Sequence, residues 1–301
     1  MKREDVMLID IHAHTTQKVL WGLHTESAKL VDLEKEARLH DVRKTILLAT
    51  YFPFKGTGLH NHELLKAVAG NDQFLVFGSL DVMNDLAGGV KELEQLLSQH
   101  RLAGIKLYPG YQDFKSMEVI TPVLELASKY HVPAMFHTGE LHHCCPKALR
   151  DSGQGKCGEV CWIDKLQWQA SPIWLAQAPR AFPEVKFIFS HLGNPYFDQL
   201  RMVISELPNV YTDISGQFLS GTEEDSEEYL KQIQLELEQL LRIPGAEDRV
   251  FFGTDFPIQS YESSIAIVEG LNVSDVVKEK IRWKNAASLL RLEEVINASP
   301  H

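Results

Sequence analysis

Eight short apolar runs rich in β-branched and aromatic residues punctuate the chain, at approximately 7–14, 44–52, 74–81, 103–109, 132–138, 186–191, 210–215 and 249–255. Between several of them apolar residues recur at intervals of three and four, as in 84–100, 116–130 and 223–242, which predicts amphipathic helices with one face on a core. Strand followed by helix, repeated, calls for parallel strands with the helices outside. Eight repeats are the number that closes a (β/α)8 TIM barrel, so the expected fold class is α/β. An open doubly wound sheet is the alternative. It is disfavoured because no glycine-rich phosphate fingerprint follows the first run, and because chemistry-bearing residues gather at the ends of runs 1, 5, 6 and 8.

Those residues are His12 and His14 in IDIHAHT, His137 in PAMFHTG, His191 in FIFSHLG and Asp255 in FFGTDFP. Each closes an apolar run just before a Gly, Thr or Pro, where a buried strand gives way to a loop. In a strand, His12 and His14 project from one face with Cα atoms about 6 to 7 Å apart, close enough to share an ion. A lone His-x-His pair says little. Three further runs ending in His or Asp, on a topology that opens all strand ends onto one face, point to a single metal-centred site.

Bulk properties agree with a globular enzyme. A closed α/β barrel commonly needs about 250 residues or more, and 301 residues are read as one domain, 1–301. No apolar stretch approaches the roughly 18 residues of a membrane span, so no membrane partner is expected. The net charge of −11, without a run of Lys and Arg, argues against nucleic acid as a partner. The N-terminus runs into the first strand with no signal-type apolar core, and a cytoplasmic location is expected.

Taken together, DIHAH, GIKLYPG, HTG, SHLG, GTDFP and the late segment RWKNAASLLRL resemble the amidohydrolase superfamily, in its amidohydrolase-2 branch, nearly end to end. That branch holds metal-dependent hydrolases and nonoxidative decarboxylases related to aminocarboxymuconate-semialdehyde decarboxylase. The resemblance implies that His12, His14, His137 and Asp255 bind one divalent ion and that His191 acts as general acid/base beside it. Neutral imidazoles and a carboxylate suit Zn²⁺ first, with Mn²⁺ or Fe²⁺ as alternatives. Such an ion can bring the pKa of a bound water near 7 and polarise a carbonyl, while His191, or Asp255 as both ligand and shuttle, moves the proton. For His191 the structural alternative is a group that only orients a ligand or the water. For Asp255 it is a helix N-cap.

Lys106 sits on the fourth run, where some binuclear relatives carry a carboxylated lysine. A second ion is the lesser expectation, and contact with a substrate carboxylate or an ion pair is favoured for this side chain. Asp10 shares the parity of His12 and His14 and is expected to point inward and to pair with Lys106. Tyr108 is expected to line the pocket or to fill a barrel layer.

The connection from Glu140 to about Pro172 is long and holds all four cysteines, Cys144, Cys145, Cys157 and Cys161. It is expected as an insertion, 140–172, between strand five and its helix, lying over the active face as a lid. Trp162, Trp168 and Trp174 are read as packing it down. Adjacent cysteines are an irregular zinc spacing, so reduced thiols are the main expectation, and a structural zinc involving His142 or His143 is the minority one. His142 and His143 are otherwise candidates for touching substrate. The reaction expected is hydrolysis of an amide, ester or lactone of a small molecule. Nonoxidative decarboxylation of an unsaturated or aromatic acid is the alternative, and a noncatalytic metal-binding protein the reading from another class. A homodimer is compatible with the resemblance.

Overall fold

Eight parallel strands in the order of the sequence form one sheet in the computed structural model, which describes residues 7–16, 28–51, 58–143, 147–154, 161–218 and 226–292. The strands are β1 (Leu8–Ala13), β2 (Val42–Leu48), β3 (Phe74–Gly78), β4 (Gly104–Leu107), β5 (Ala134–Phe136), β6 (Phe187–Phe189), β7 (Val210–Asp213) and β8 (Val250–Phe251). The sheet curls until its ends meet: Ile11 N donates to Phe252 O at 3.1 Å, Asp255 N to His12 O at 2.7 Å and His14 N to Phe256 O at 2.8 Å. The fold is the (β/α)8 TIM barrel.

Helices form where the period of three to four predicts them. The stretches 84–100 and 116–130 become Leu86–Ser98 and, after a short 3₁₀ turn, Thr121–Tyr130. Residues 223–242 contain the helix Glu227–Leu241, and the start of that predicted stretch lies outside the described residues. Their starts follow local chemistry. The Asp85 side chain accepts from Gly88 N, and Ser226 Oγ accepts from Tyr229 N, each satisfying a backbone N–H that a first helical turn leaves unpaired.

Apolar side chains fill two layers. The larger cluster lies between the outward strand faces and the helices, with Leu47, Val76, Leu107, Phe136 and Phe189 facing Leu33, Leu93, Val123 and Val203. Inside the barrel Ile9, Ile11, Ile46, Phe77, Met135, Ile188 and Phe251 pack together with Ala286, Ala287 and Leu289 of the late helix Asn285–Leu290. The candidate site residues lie beyond this layer, at the strands' C-terminal ends.

Asp10 does not pair with Lys106. Ile9 and Ile11 occupy the inner layer, and register shifts along β1, including one between Asp10 and Ala13, break the strict alternation on which the parity argument relied. Asp10 turns to the β8 side. It accepts from His12 N (3.0 Å), Thr254 N (3.1 Å), Thr254 Oγ1 (2.7 Å) and Tyr261 OH (2.8 Å), fastening the first strand to the segment after the last. Burial still outweighs these four donors and pushes its pKa up to about 6.

Candidate metal centre and active site

All five singled-out side chains meet at the rim. His12 and His14 come from the end of β1, His137 follows β5, His191 follows β6, and Asp255 lies beyond β8. Nε2 of His12 and Nε2 of His14 each lie 3.2 Å from Asp255 Oδ1. Nε2 of His191 is 3.2 Å from Nδ1 of His137. Ligand atoms of His12, His191 and Asp255 all fall within 4.8 Å of one another. His191 (φ 63°) and Asp255 (φ 57°) both hold the left-handed backbone that non-glycine residues rarely adopt. Bonds from His191 N to Asp213 Oδ1 (3.0 Å) and from Asp255 N to His12 O fix them there.

The outer hydrogen bonds decide which ring nitrogens can bind a cation. His12 Nδ1 faces Asp213 Oδ2 at 3.1 Å, His191 Nδ1 faces the Ser215 carbonyl at 3.1 Å, and His137 Nε2 faces the Glu140 carbonyl at 3.1 Å. Carboxylate and carbonyl oxygens only accept, so each of these nitrogens carries the proton. The remaining atoms, His12 Nε2, His191 Nε2 and His137 Nδ1, turn their lone pairs inward. Asp255 Oδ1 is buried beside them and accepts no hydrogen bond of good geometry from any described residue. Ring nitrogens crowded about one buried carboxylate oxygen fit a bound cation, and nitrogen with carboxylate oxygen is a zinc-type donor set.

The electrostatics agree. Burial drives His137 well below its ordinary pKa and His191 down to about 3, and it lowers His14 as well, so these rings stay neutral at pH 7. His12 differs: burial and the Lys106 charge push it down, but Asp213 and Asp255 outweigh them and its pKa is raised. Its Nε2 attracts a cation, proton or metal ion. Burial penalises ionised Asp255 too, yet His12 and His14 hold its carboxyl well below the usual carboxylate range.

Asp213 escaped the sequence reading. It closes β7 in the run 210–215, two residues before Ser215-Gly216, a placement like that of the other five. Its Oδ1 accepts from His191 N, Ser215 N (3.1 Å) and Ser215 Oγ, while Oδ2 holds His12. One carboxylate thereby orients two of the clustered histidines.

A cavity of about 150 Å³ opens over the cluster, and its walls include His137, His191, Asp255, Glu140, Asn194 and Gln217. His142 is also on the wall. Lys106 is fully buried below it, with Nζ 2.9 Å from Ser190 Oγ, and burial lowers its pKa to about 8. Tyr108 is a packed layer residue whose OH donates to Ala49 O at 2.7 Å. His143 turns away from the cavity and meets Asp164, Nε2 to Oδ1 2.8 Å. Trp168 packs edge-on against Trp174 at 5.1 Å, and Trp162 joins a small apolar cluster with Tyr111 and Leu141. Cys144, Cys145 and Cys157 lie outside the described residues, whereas Cys161 is buried.

The sequence matches the family model described as Amidohydrolase over residues 9–292. No curated protein matches it. Among solved structures, an uncharacterized TIM-barrel protein of Bordetella bronchiseptica superposes with a TM-score of 0.69 at 16% identity, covering 95% of this chain and 98% of that one. A 5-carboxyvanillate decarboxylase of Sphingomonas paucimobilis gives 0.65 at 16% identity, covering 95% and 99%. A dihydroxybenzoic acid decarboxylase of a Polaromonas species, with bound manganese, gives 0.65 at 18% identity, covering 97% and 98%. Among the described residues no helix is long and apolar enough to cross a membrane.

Proposed function

The chain belongs to the amidohydrolase family, and from that premise we propose that it hydrolyses an amide, ester or lactone bond of a small molecule around one divalent ion, Zn²⁺ ahead of Mn²⁺ or Fe²⁺. The observation that carries this reading is Asp255 Oδ1, a buried oxygen that accepts no hydrogen bond of good geometry from any described residue, with Nε2 of His12 and of His14 each 3.2 Å away and His137 and His191 on the same cavity wall. His12, His14, His137 and Asp255 are the residues that would hold the ion. When bound, it polarises a substrate oxygen and acidifies a neighbouring water.

The remaining work falls to the chain. His191, with its proton parked on Nδ1 against the Ser215 carbonyl, presents Nε2 as the base that takes a proton from the attacking water and returns it to the departing oxygen or nitrogen. Asp255 is the second carrier. Asp213 and Ser215 keep His12 and His191 in the required tautomers. Asn194 and Gln217 on the wall supply amide groups for orienting a polar substrate.

The wall also favours hydrolysis over decarboxylation. Among the described residues, the charged member of the wall beyond the histidines and Asp255 is the acidic Glu140, whose charge disfavours the free carboxylate a decarboxylase substrate must present and leaves a neutral carbonyl compound unaffected. The same reading takes 1–301 as one barrel domain with an insertion at 140–172, of which residues 144–146 and 155–160 lie outside the described residues.

The test is a panel of lactones, esters and amides run beside aromatic and enoic acids with carbon dioxide detection. Hydrolysis without CO₂ is expected, and CO₂ release from an acid would replace this reading with the decarboxylase. With a substrate in hand, His191→Asn is expected to keep its metal and lose about 10² to 10⁴-fold in turnover. Near wild-type turnover would reduce His191 to a positioning role.

A further inference from the structure

The connection after β5 carries a second cluster of metal-binding side chains, well apart in character from the first. His143 arrives from the segment that leaves His137, while Cys161 and Asp164 belong to the start of the short helix Trp162–Leu166. Their ligand atoms all lie within 4.8 Å of one another, with His143 Nε2 2.8 Å from Asp164 Oδ1. Cys161 is buried, His143 is partly exposed and Asp164 is mostly exposed, so the cluster has an apolar floor and an open top.

We propose that His143, Cys161 and Asp164 form a structural Zn²⁺ site that fastens the strand-five exit to the helix Trp162–Leu166. A thiolate, an imidazole and a carboxylate are three of zinc's ordinary ligands, with the fourth position at the exposed top taken by water, and the sulfur selects zinc over magnesium or calcium. With metal–ligand distances of about 2.0 to 2.3 Å, tetrahedral donors stand roughly 3.3 to 3.8 Å apart. From separations of at most 4.8 Å the cluster reaches that spacing by relative shifts of up to about 1.5 Å.

The need for such a fastener is visible in the packing. Among the described residues the apolar cluster under this connection comprises Tyr108, Tyr111, Leu141, Cys161, Ile163 and Ala170 with Trp162 against it, and it is separate from both barrel cores. Small apolar clusters rarely order a long segment unaided, and a metal commonly supplies the deficit. The sequence also confines all four cysteines of the chain to residues 144–161 of this connection. The consequence reaches the active site, because His142, next to His143, forms part of the cavity wall and its backbone N–H donates to Tyr111 OH at 2.8 Å. Zinc here would hold one wall of the catalytic cavity in place.

The experiment is elemental analysis of the purified full chain, paired with cobalt substitution. Two zinc-type equivalents per chain are expected in the wild type. His12→Ala/His14→Ala should lose one and keep the other, together with the thiolate-to-cobalt charge-transfer band in the near ultraviolet. Cys161→Ser should lose that band and one equivalent while retaining the barrel ion. His143→Ala and Asp164→Asn, at more exposed positions, give the same reading if the buried serine disturbs folding. The proposal is overturned if the band persists in Cys161→Ser, or if His12→Ala/His14→Ala removes all bound metal. Because the two ions are lost in different variants, failure here is distinguishable from failure of the barrel site.

Discussion

Replacing Asp213 by asparagine separates metal affinity from folding. Oδ1 of Asp213 accepts from His191 N at 3.0 Å, Ser215 N at 3.1 Å and Ser215 Oγ, so in Asp213→Asn these donors hold the amide oxygen at that position. The amide NH₂ is then forced onto the Oδ2 position, 3.1 Å from His12 Nδ1. An NH₂ group only donates, so His12 must accept through Nδ1 and move its proton to Nε2, the atom 3.2 Å from Asp255 Oδ1. His12 thereby becomes a hydrogen-bond donor to Asp255 and ceases to be a ligand. Loss of such an orienting partner typically weakens metal binding 10 to 100-fold, about 1.4 to 2.7 kcal/mol. Stability should change little, because the backbone donors remain satisfied. Asp213→Ala differs: it also strands two buried N–H groups, at about 1 to 3 kcal/mol each. Chelator competition for the ion and thermal melts of the metal-free proteins measure the two effects. An Asp213→Asn protein that binds metal within threefold of wild type would refute the tautomer argument.

Gly216→Ala should impair the site from the opposite side, since its φ is +63° and a Cβ there would sit 2.7 Å from His191 Nδ1 and 3.0 Å from Asp255 Oδ2. Misplacement of catalytic groups by about 1 Å can cost on the order of 100-fold, and unchanged turnover would contradict the packing described here. Tyr261→Phe removes one of four donors to the buried Asp10 carboxyl; a stability loss of about 1 to 3 kcal/mol is expected in denaturant titration, and a neutral result would show that Asp10 does not fasten the barrel. In metal-stripped protein Asp10 also contributes a pH dependence. Its folded pKa is about 6 against an ordinary 3.8, so its stabilisation is complete below 3.8 and is lost as pH rises through about 6. At about 1.4 kcal/mol per pH unit the change is about 3 kcal/mol, and it should vanish from the stability profile of Asp10→Asn.

How far the sequence could be read depends on which residues answer to a period. The barrel was legible because alternating strand and helix patterns are repeated eight times, so each weak signal is corroborated by the rest. His12, His14, His137, His191 and Asp255 were legible as site candidates because each ends an apolar run, a position the topology carries to one face. Asp213 obeys the same rule, and its signal is present in VYTDISG. The Asp10–Lys106 pairing failed for a different reason. Parity predicts side only along a regular strand, and the register shifts in β1 are invisible in LIDIHA. Asn194, Gln217 and Glu140 carried no sequence signal, because each sits in a loop after β6, β7 or β5 where no period exists.

That division bears on function. The ring proposed to hold the ion and the base is built at strand ends, so on that proposal the chemistry common to hydrolysis and decarboxylation is specified by the regular part of the fold. The groups that choose between those reactions lie on irregular segments. Glu140 illustrates the point: its carbonyl fixes the tautomer of His137 at 3.1 Å, while on the proposed reading the charge of this wall residue bears on which substrate enters. Glu140→Gln preserves the first role, which belongs to the backbone, and removes the second. It should leave metal content unchanged and relax the bias against anionic compounds, seen as a lower KM for acids relative to neutral esters or amides. An unchanged ratio would mean that the charge of the wall does not select the substrate, and the argument for hydrolysis from the lining would fall while the metal centre stood.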